Sequence, residues 1–412
     1  MICKLVTDMG QGVIMSISPE LKRIVSQKAS TFTESVIREM SRMAAKYKSV
    51  NLAQGMPDFP CPEELKQAAC QAINDDINQY AITWGDKPFR DAISAKNERY
   101  IGVKYEPETE ITVTCGATEG MIATMLALVD PEEEVIAFEP YYENYGPDAI
   151  LAGAKPRYVS LHPPDWTFEE EELEKAFNNK TRALVLNTPH NPTGKVFTRK
   201  EMETIARLCQ KWGVYVFTDE PYEHIVYDGA KHIAMASLPG MKDLTVTVNS
   251  LSKTYSVTGW RLGTVCAGEK VSTAIRKVHD FLTVGAAAPL QRAGAFAMSL
   301  PEQYYLDLAS SYQTRRDTML EILDAVGISY FKPFGAYYVY CDIGKFGFEN
   351  DVKFTEFLVK DVGVAVVPGS SFFRPGDRGK NYIRFCFAKK AETLAGAKER
   401  LMLLSDKLAA RQ

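Results

Sequence analysis

The sequence predicts an α/β protein with a mostly parallel central sheet in a large domain, plus a smaller α+β domain. Three observations lead there. From about residue 65 to 295, short β-rich runs alternate with longer helical periods, the pattern of strands joined by crossover helices. After Pro301 the texture changes to one long helical period and then short strands. The 412 residues also exceed one ordinary domain, so two domains sharing a cleft are expected. The suggested division is 1–64 for an N-terminal arm and part of the small domain, 65–296 for the large domain, and 297–412 for the C-terminal small domain.

Taken in order, residues 13–50 read as a polar arm and one helix, Glu34 to Tyr47, before the loop Asn51-Leu-Ala-Gln-Gly-Met-Pro-Asp-Phe-Pro60. The expected strands are Ile111–Cys115, Val135–Phe138, Arg157–Leu161, Ala183–Asn187, Tyr215–Asp219, Thr245–Asn249 and Leu262–Ala267. Between them Thr118–Val129, Glu169–Phe177, Arg199–Trp212 and Lys270–Phe281 carry apolar residues at helical spacing. A long helix from Glu302 to Val326 and strands around Tyr337–Cys341 and Tyr382–Phe387 complete the chain.

Composition excludes several classes. With 46% hydrophobic and 24% charged residues the chain is globular, and a net charge of −4 gives no reason to expect nucleic acid or an anionic membrane. The densest uncharged apolar run, Met121–Val129, falls far short of the roughly 18–20 residues of a membrane span. The segment Met1 to Met9 lacks the apolar core and cleavage site of a signal peptide, so a cytoplasmic location is expected. Eight cysteines show no paired spacing. Cys115, Cys266, Cys341 and Cys386 sit in apolar runs, where buried, reduced thiols are expected. The histidines (His162, His190, His224, His232 and His279) lack ligand spacing, so no metal is expected. Gly10-Gln-Gly12 lacks the third glycine of a dinucleotide fingerprint, and Thr193-Gly-Lys195 lacks the upstream glycine of a P-loop.

The chemistry concentrates at strand ends, where open α/β sheets bind ligands. Ser250-Leu-Ser-Lys253-Thr places a lysine directly after an apolar β run, with Arg261 eight positions on. Desolvation lowers the pKa of such a lysine, and a partly deprotonated amine can form a Schiff base with an aldehyde cofactor. Upstream, Val214-Tyr-Val-Phe-Thr-Asp219-Glu-Pro-Tyr222 ends another run on a carboxylate. A lysine for the imine and an acid for a pyridinium nitrogen are the protein groups that pyridoxal phosphate chemistry requires. Asp219 taken alone reads more readily as a cap for the segment after it. Gly116-Ala117-Thr118 opens a helix and offers backbone N–H groups to an anion, with Ser250, Ser252 and Arg261 completing a phosphate cradle. Asn191-Pro-Thr-Gly194 reads as a turn, or as an amide presented to the cofactor's ring oxygen beside Tyr222. Tyr142 fits either the core or a ring face. Arg384, interrupting Asn381-Tyr-Ile-Arg-Phe-Cys-Phe387, lies on an exposed strand face or meets an anion such as a substrate carboxylate.

Together, Asn-Pro-Thr-Gly, Asp-x-x-Tyr and Ser-x-Ser-Lys-x(7)-Arg, in this order, resemble the class I/II aminotransferases of pyridoxal phosphate fold type I. The likeness runs from Asn51-Leu-Ala-Gln-Gly to Arg384-Phe-Cys-Phe. Within the family, Gln-Gly-Met-Pro-Asp-Phe-Pro, Asn-Thr-Pro-His-Asn-Pro and Arg276-Lys-Val-His279 look like the kynurenine/glutamine/methionine branch and the aspartate-type enzymes near it. The resemblance implies Lys253 as the Schiff-base lysine and Asp219 on the pyridine nitrogen. Tyr222 and Asn191 would hold the ring oxygen, with Tyr142 stacked on the ring. Gly116, Ala117, Thr118, Ser250, Ser252 and Arg261 would hold the phosphate, and Ala53, Asn187 and Arg384 the substrate. It also implies a homodimer with a shared active site, Tyr80 being lent to the neighbour's phosphate. The expected activity is amino transfer from an L-amino acid to a 2-oxo acid, in amino acid metabolism. The alternatives are aspartate specificity, or a C–S β-lyase or aminocyclopropane-carboxylate-type synthase on the same cofactor; a non-catalytic regulator fits the intact motif set less well. Trp84, Tyr80, Phe281 and Tyr337 suit apolar, aromatic or sulfur-containing side chains, while Lys87 or Arg292 would have to supply a cation for an acidic one.

Overall fold

The alternating texture resolves into α1 (Val36–Tyr47), β1 (Val50–Asn51), α2 (Glu63–Asn74), α3 (Lys87–Ile101), β2 (Ile111–Thr114), α4 (Gly116–Leu128), β3 (Glu134–Glu139) and α5 (Tyr145–Ala152). There follow β4 (Lys155–Ser160), α6 (Glu170–Ala176), β5 (Thr181–Asn187), α7 (Arg199–Trp212), β6 (Tyr215–Asp219), β7 (Thr245–Ser250), α8 (Leu251–Thr254) and β8 (Gly263–Cys266). The last third holds α9 (Glu269–Thr283), α10 (Ala288–Met298), α11 (Glu302–Ala325), β9 (Ser329–Phe331), β10 (Tyr338–Asp342), α12 (Asp351–Phe357), β11 (Val364–Ala365), β12 (Val367–Pro368), β13 (Tyr382–Cys386), α13 (Ala391–Leu401) and α14 (Leu404–Ala409). This computed structural model describes residues 25–26, 28–32 and 34–411. Most of the expected N-terminal arm, the N-terminal segment judged for a signal peptide, and Gly10-Gln-Gly12 lie outside the described residues.

Local chemistry sets the element bounds. Thr198 and Glu201 form a reciprocal capping box that starts α7, and Gly213 in the left-handed region ends it, so the following run can turn into β6. β2 and β5 to β7 are apolar and largely buried on both faces, as a sheet covered by helices on both sides demands.

Seven strands form one sheet in the order β2-β8-β7-β6-β5-β3-β4. It is parallel except for β8, which runs against both β2 and β7. The link from β7 to β8 explains the exception: α8 and a short turn are too brief for the crossover a parallel neighbour needs. The strands β2, β3, β5, β6 and β7 therefore bring their carboxyl ends to the same edge. A second, antiparallel sheet has the order β12-β13-β10-β9 and places Arg384 opposite both Tyr340 and Val367. The N-terminal segment joins the C-terminal third directly, with Val50 and Asn51 of β1 paired to Val364 and Ala365 of β11.

Candidate active site

The carboxyl ends of the parallel strands open onto a cleft lined by Ala117, Thr118, Tyr142, Asn187, Asn191, Asp219, Tyr222, Ser250, Ser252, Lys253, Arg261 and Arg384. Motifs far apart in sequence thus meet in one place. Gly116 and Ala53 touch its lining residues, Gly116 beside Arg261 and Ala53 through its carbonyl to Arg384. Tyr80 does not line the cleft; it is 87% exposed.

Asp219 ends β6 with its Oδ2 accepting the Tyr145 hydroxyl at 2.7 Å, so it caps no helix. Its Oδ1 is buried with no partner among the described residues. Burial pushes this carboxyl up to about 6, against the opposing pull of Tyr145 and Lys253. Lys253, on the short helix after β7, donates to the Gly55 carbonyl at 3.0 Å and faces the Tyr337 ring. Burial pulls its amine down to about 8, although Asp219 favours the charged form. A lysine poised near neutrality and a carboxyl with one free oxygen are complementary demands in the same cavity.

Arg384 is fully buried, which removes the exposed-face alternative. Its Nη1 donates to Asn191 Oδ1 at 2.7 Å and its Nη2 to the Ala53 carbonyl at 2.9 Å, while Nε finds no partner among the described residues. Tyr338 and Phe372 flank the guanidinium at 4.1 and 4.8 Å. Neutral oxygens and rings soften its charge without neutralising it, so an entering anion gains a planar, prearranged fork. Because Asn191 spends its oxygen on Arg384, its NH2 group remains to donate. Asn187 donates to the Asp219 carbonyl at 2.8 Å and accepts from the Asn191 amide at 2.7 Å, tying the β5 and β6 ends together with one amide hydrogen left over. The Tyr222 hydroxyl lies 3.1 Å from that of Tyr338.

The anion end is shaped by close backbone approach. Gly116 sits at φ +82°, and a Cβ there would fall 2.3 Å from Arg261 Nη2. A Cβ on Gly263 would fall 2.3 Å from the Gly116 carbonyl carbon, so β8 can pass this loop only as glycine. Cys115 caps α4 without a side-chain bond, leaving first-turn N–H groups turned to the cleft. Cys115 itself was expected to be buried and is half-buried, its thiol lying 3.5 Å from the Gly285 carbonyl. Ser250 accepts from the Ser252 amide at 3.3 Å.

These features fit pyridoxal 5′-phosphate. The free Asp219 oxygen suits a protonated ring nitrogen, the glycine-lined turn beneath Arg261 suits a phosphate, and the partly deprotonated Lys253 suits an aldehyde.

Sequence reasoning missed several cleft residues. Tyr145 and Asp148 are three positions apart on α5 and share its cleft-facing side; their signal was a tyrosine and a carboxyl at helical spacing in a short apolar stretch. Tyr338 was passed over as one aromatic among many. Ser35, the cap before α1, and Arg38, in its first turn, line the mouth together with Glu143, to which Ser35 donates. Of the four aromatics expected to face the substrate, Trp84, Tyr80 and Phe281 do not line this cleft, and Tyr337 lies buried behind it, donating to the Gly55 carbonyl at 2.8 Å.

Residues 47–401 match the family model for aminotransferase class I and II. The chain is 36% identical over 386 residues to the probable N-succinyldiaminopimelate aminotransferase DapC of Mycobacterium tuberculosis, covering 91% of this chain and 97% of that one. The solved M. tuberculosis N-succinyldiaminopimelate aminotransferase superposes with a TM-score of 0.90, at 36% identity, over 92% of this chain and 100% of the other. Rat kynurenine–oxoglutarate transaminase 1 is 34% identical over 92% of this chain and 98% of its own. Methionine aminotransferase of Escherichia coli is 34% identical over the corresponding 92% and 98%.

Proposed function

The chain belongs to the class I and II aminotransferases, with the fold type I architecture and pyridoxal 5′-phosphate as cofactor, and from that premise we propose a substrate class and a role for each site residue. The enzyme moves the amino group of a neutral, sulfur-containing or aromatic L-amino acid to a 2-oxo acid in a two-stage, ping-pong cycle. When bound, the cofactor supplies the aldehyde and the electron sink. The observation that carries this reading is that Lys253, the free oxygen of Asp219 and the uncompensated Arg384 share one cavity.

Lys253 would hold the cofactor's aldehyde carbon, and its amine would move the proton at the substrate's α-carbon. Asp219 would keep the ring nitrogen charged, Asn191 and Tyr222 would donate to the ring oxygen, and Tyr142 would cover the ring. The first turn of α4 (Gly116, Ala117, Thr118), with Ser250, Ser252 and Arg261, would hold the phosphate. Arg384 takes the α-carboxylate, with Asn187 and the Ala53 segment beside it. The seven-stranded and four-stranded sheets fall within the proposed domains 65–296 and 297–412, the latter joined by the segment before residue 65.

Neither expected receptor for an acidic side chain is free. Lys87 is paired with Asp91, and Arg292 with Asp86 at 2.5 Å. Arg38 does line the mouth, but Glu143 lines it too, and this opposite charge offsets the pull of Arg38 on a second carboxylate. Both features support neutral donors. A half-reaction screen of the twenty amino acids, following loss of the cofactor's aldehyde absorbance, tests this. Methionine, glutamine or aromatic donors should lead, and aspartate having the highest kcat/KM would refute the reading.

The working unit is a cytoplasmic homodimer. Tyr80, Ile82, Phe281, Leu282 and Val284 form exposed apolar surface on two segments joined by the Thr83–Asp280 hydrogen bond at 3.3 Å, an arrangement that supports a partner surface. Among the described residues no helix is long and apolar enough to cross a membrane. Mixing Tyr80→Phe with Lys253→Ala subunits should regenerate one native site per heterodimer. Exchange of subunits without recovered activity would rule out the shared site.

A further inference from the structure

A second carboxyl shares the cleft with Asp219. Asp148 lies on α5, one turn beyond the Tyr145 whose hydroxyl donates to Asp219. It lines the cleft with 6% of its surface exposed, and its Oδ2 is buried with no hydrogen-bond partner among the described residues. Packing does not explain a carboxyl here, because burying an unpartnered polar group destabilises a fold.

Asp148 forms no ion pair among the described residues, although Arg38, Lys253, Arg261 and Arg384 line the same cleft. α4 and β4 pack against α5. α4 brings Glu119, which is held by His279 at 3.0 Å. β4 brings Tyr158 together with Lys155 and Arg157, both paired with carboxylates of their own. The turn before α5 brings Tyr142 and Glu143 to the cleft, and the strand ends and the segment after them bring Asp219, Tyr222 and Lys253. Burial, and after it Asp219, raise Asp148 to about 7.

We propose that Asp148 is a positioning residue acting through Asp219: the two carboxyls form a buried acidic pair that keeps the ring nitrogen of the bound cofactor protonated. This rests on the reading that Asp219 meets that nitrogen. In the cofactor-free protein the two carboxyls repel, so one of them retains a proton. A cationic ring at the free oxygen of Asp219 cancels the repulsion. Asp148 then gives its proton to water, and its negative charge adds to that of Asp219 in opposing loss of the ring proton. No bond to the ring forms or breaks in this step.

The test uses holoenzyme carrying cofactor labelled with 15N at the ring nitrogen, titrated by NMR for wild type, Asp148→Asn and Asp219→Asn. In Asp148→Asn the nitrogen should hold its proton about tenfold less tightly, one unit of pKa. Affinity of the cofactor-free variant for pyridoxal phosphate above neutral pH should fall by a similar factor. Coincidence of Asp148→Asn with wild type in both measurements would overturn the proposal. Normal behaviour of Asp219→Asn would instead overturn the reading on which it rests. Should the Asp148 variant not fold, 13C titration of the Asp148 carboxyl in wild type decides. It should titrate near neutrality without cofactor and at lower pH with it, and identical titration in both states refutes the pair.

Discussion

Two buried charged clusters flank the turn that follows β6, and they are built on opposite rules. On the cleft side, Asp219 keeps an oxygen and Arg384 a nitrogen without partners among the described residues, and Lys253 donates only to a backbone carbonyl. On the other side, four residues further along, Glu223 forms an ion pair with Lys96 and accepts from Asn249 Nδ2 at 2.5 Å. Both clusters are buried, yet their proton affinities move in opposite directions. Burial pushes Glu223 up, but Lys96 with His224 and His232 outweighs it and holds the carboxyl down to about 2. Nothing outweighs burial for Asp219 or Lys253, which sit at about 6 and about 8. Depth alone therefore does not mark a working charge. The mark is an unmet partner: Glu223 is already neutralised, while Asp219 is built to be neutralised by something that enters.

The sharpest break in this comparison is at the two lysines. Lys253→Ala should lose ~10²–10⁴ in rate from the missing base alone, and more because the cofactor's aldehyde is no longer held. Its thermal midpoint should barely move, since the amine it removes is charged at a cost. Near-normal turnover in single-turnover assays would show that Lys253 is an ordinary lysine. Lys96→Met should do the reverse. Leaving Glu223 buried and unpaired should cost about 3–5 kcal/mol of stability, measured by urea unfolding, while the folded fraction keeps its activity. A variant as stable as wild type would show that the ion pair does not hold the turn.

A smaller effect sharpens the contrast through pH. The folded pKa of Asp219 is raised, so its contribution to stability is complete below pH ~4, the unfolded value, and is lost as pH rises through about 6. That of Glu223 is lowered, so its contribution is present above its unfolded value of 4.5 and is lost as pH falls through about 2. Cofactor-free Asp219→Asn should therefore be more stable than wild type at pH 8, by of order 2–3 kcal/mol, and show little gain at pH 4. Urea midpoints at the two pH values check this. Equal midpoints at pH 8 would mean that the free oxygen of Asp219 costs the fold nothing.

Legibility in the sequence followed the same division. β6 and α7 were readable to the residue, because an apolar run ending on Asp219 and a helix fenced by Thr198, Glu201 and Gly213 need no tertiary information. The positions of Asp219, Asn187 and Lys253 were readable for a related reason, since each ends or closely follows an apolar run. α5 and α10 went unseen because Gly146-Pro147 and Pro289 fall in their first turns, where proline is tolerated but reads as a break. Tyr145 and Asp148 went with α5. Their importance lies wholly in lying against Asp219, and sequence spacing does not carry that. Nor did any local signal point to Arg38, which reaches the cleft only because α1 folds over the loop at Gln54, where Ser41 donates to the Gln54 side chain at 2.7 Å.

The hydrogen bond from Arg384 to the carbonyl of Ala53 spans nearly the whole chain, and this has a consequence for biosynthesis. At ~5–20 residues per second, the loop that receives the arginine leaves the ribosome well before the arginine is made. Until then every strand of the seven-stranded sheet, with Lys253 and Asp219, has been made, while the strand that carries Arg384 has not. The newborn chain thus passes through an interval in which the ends of β6 and β7 are made but the cleft lacks the strand that carries Arg384.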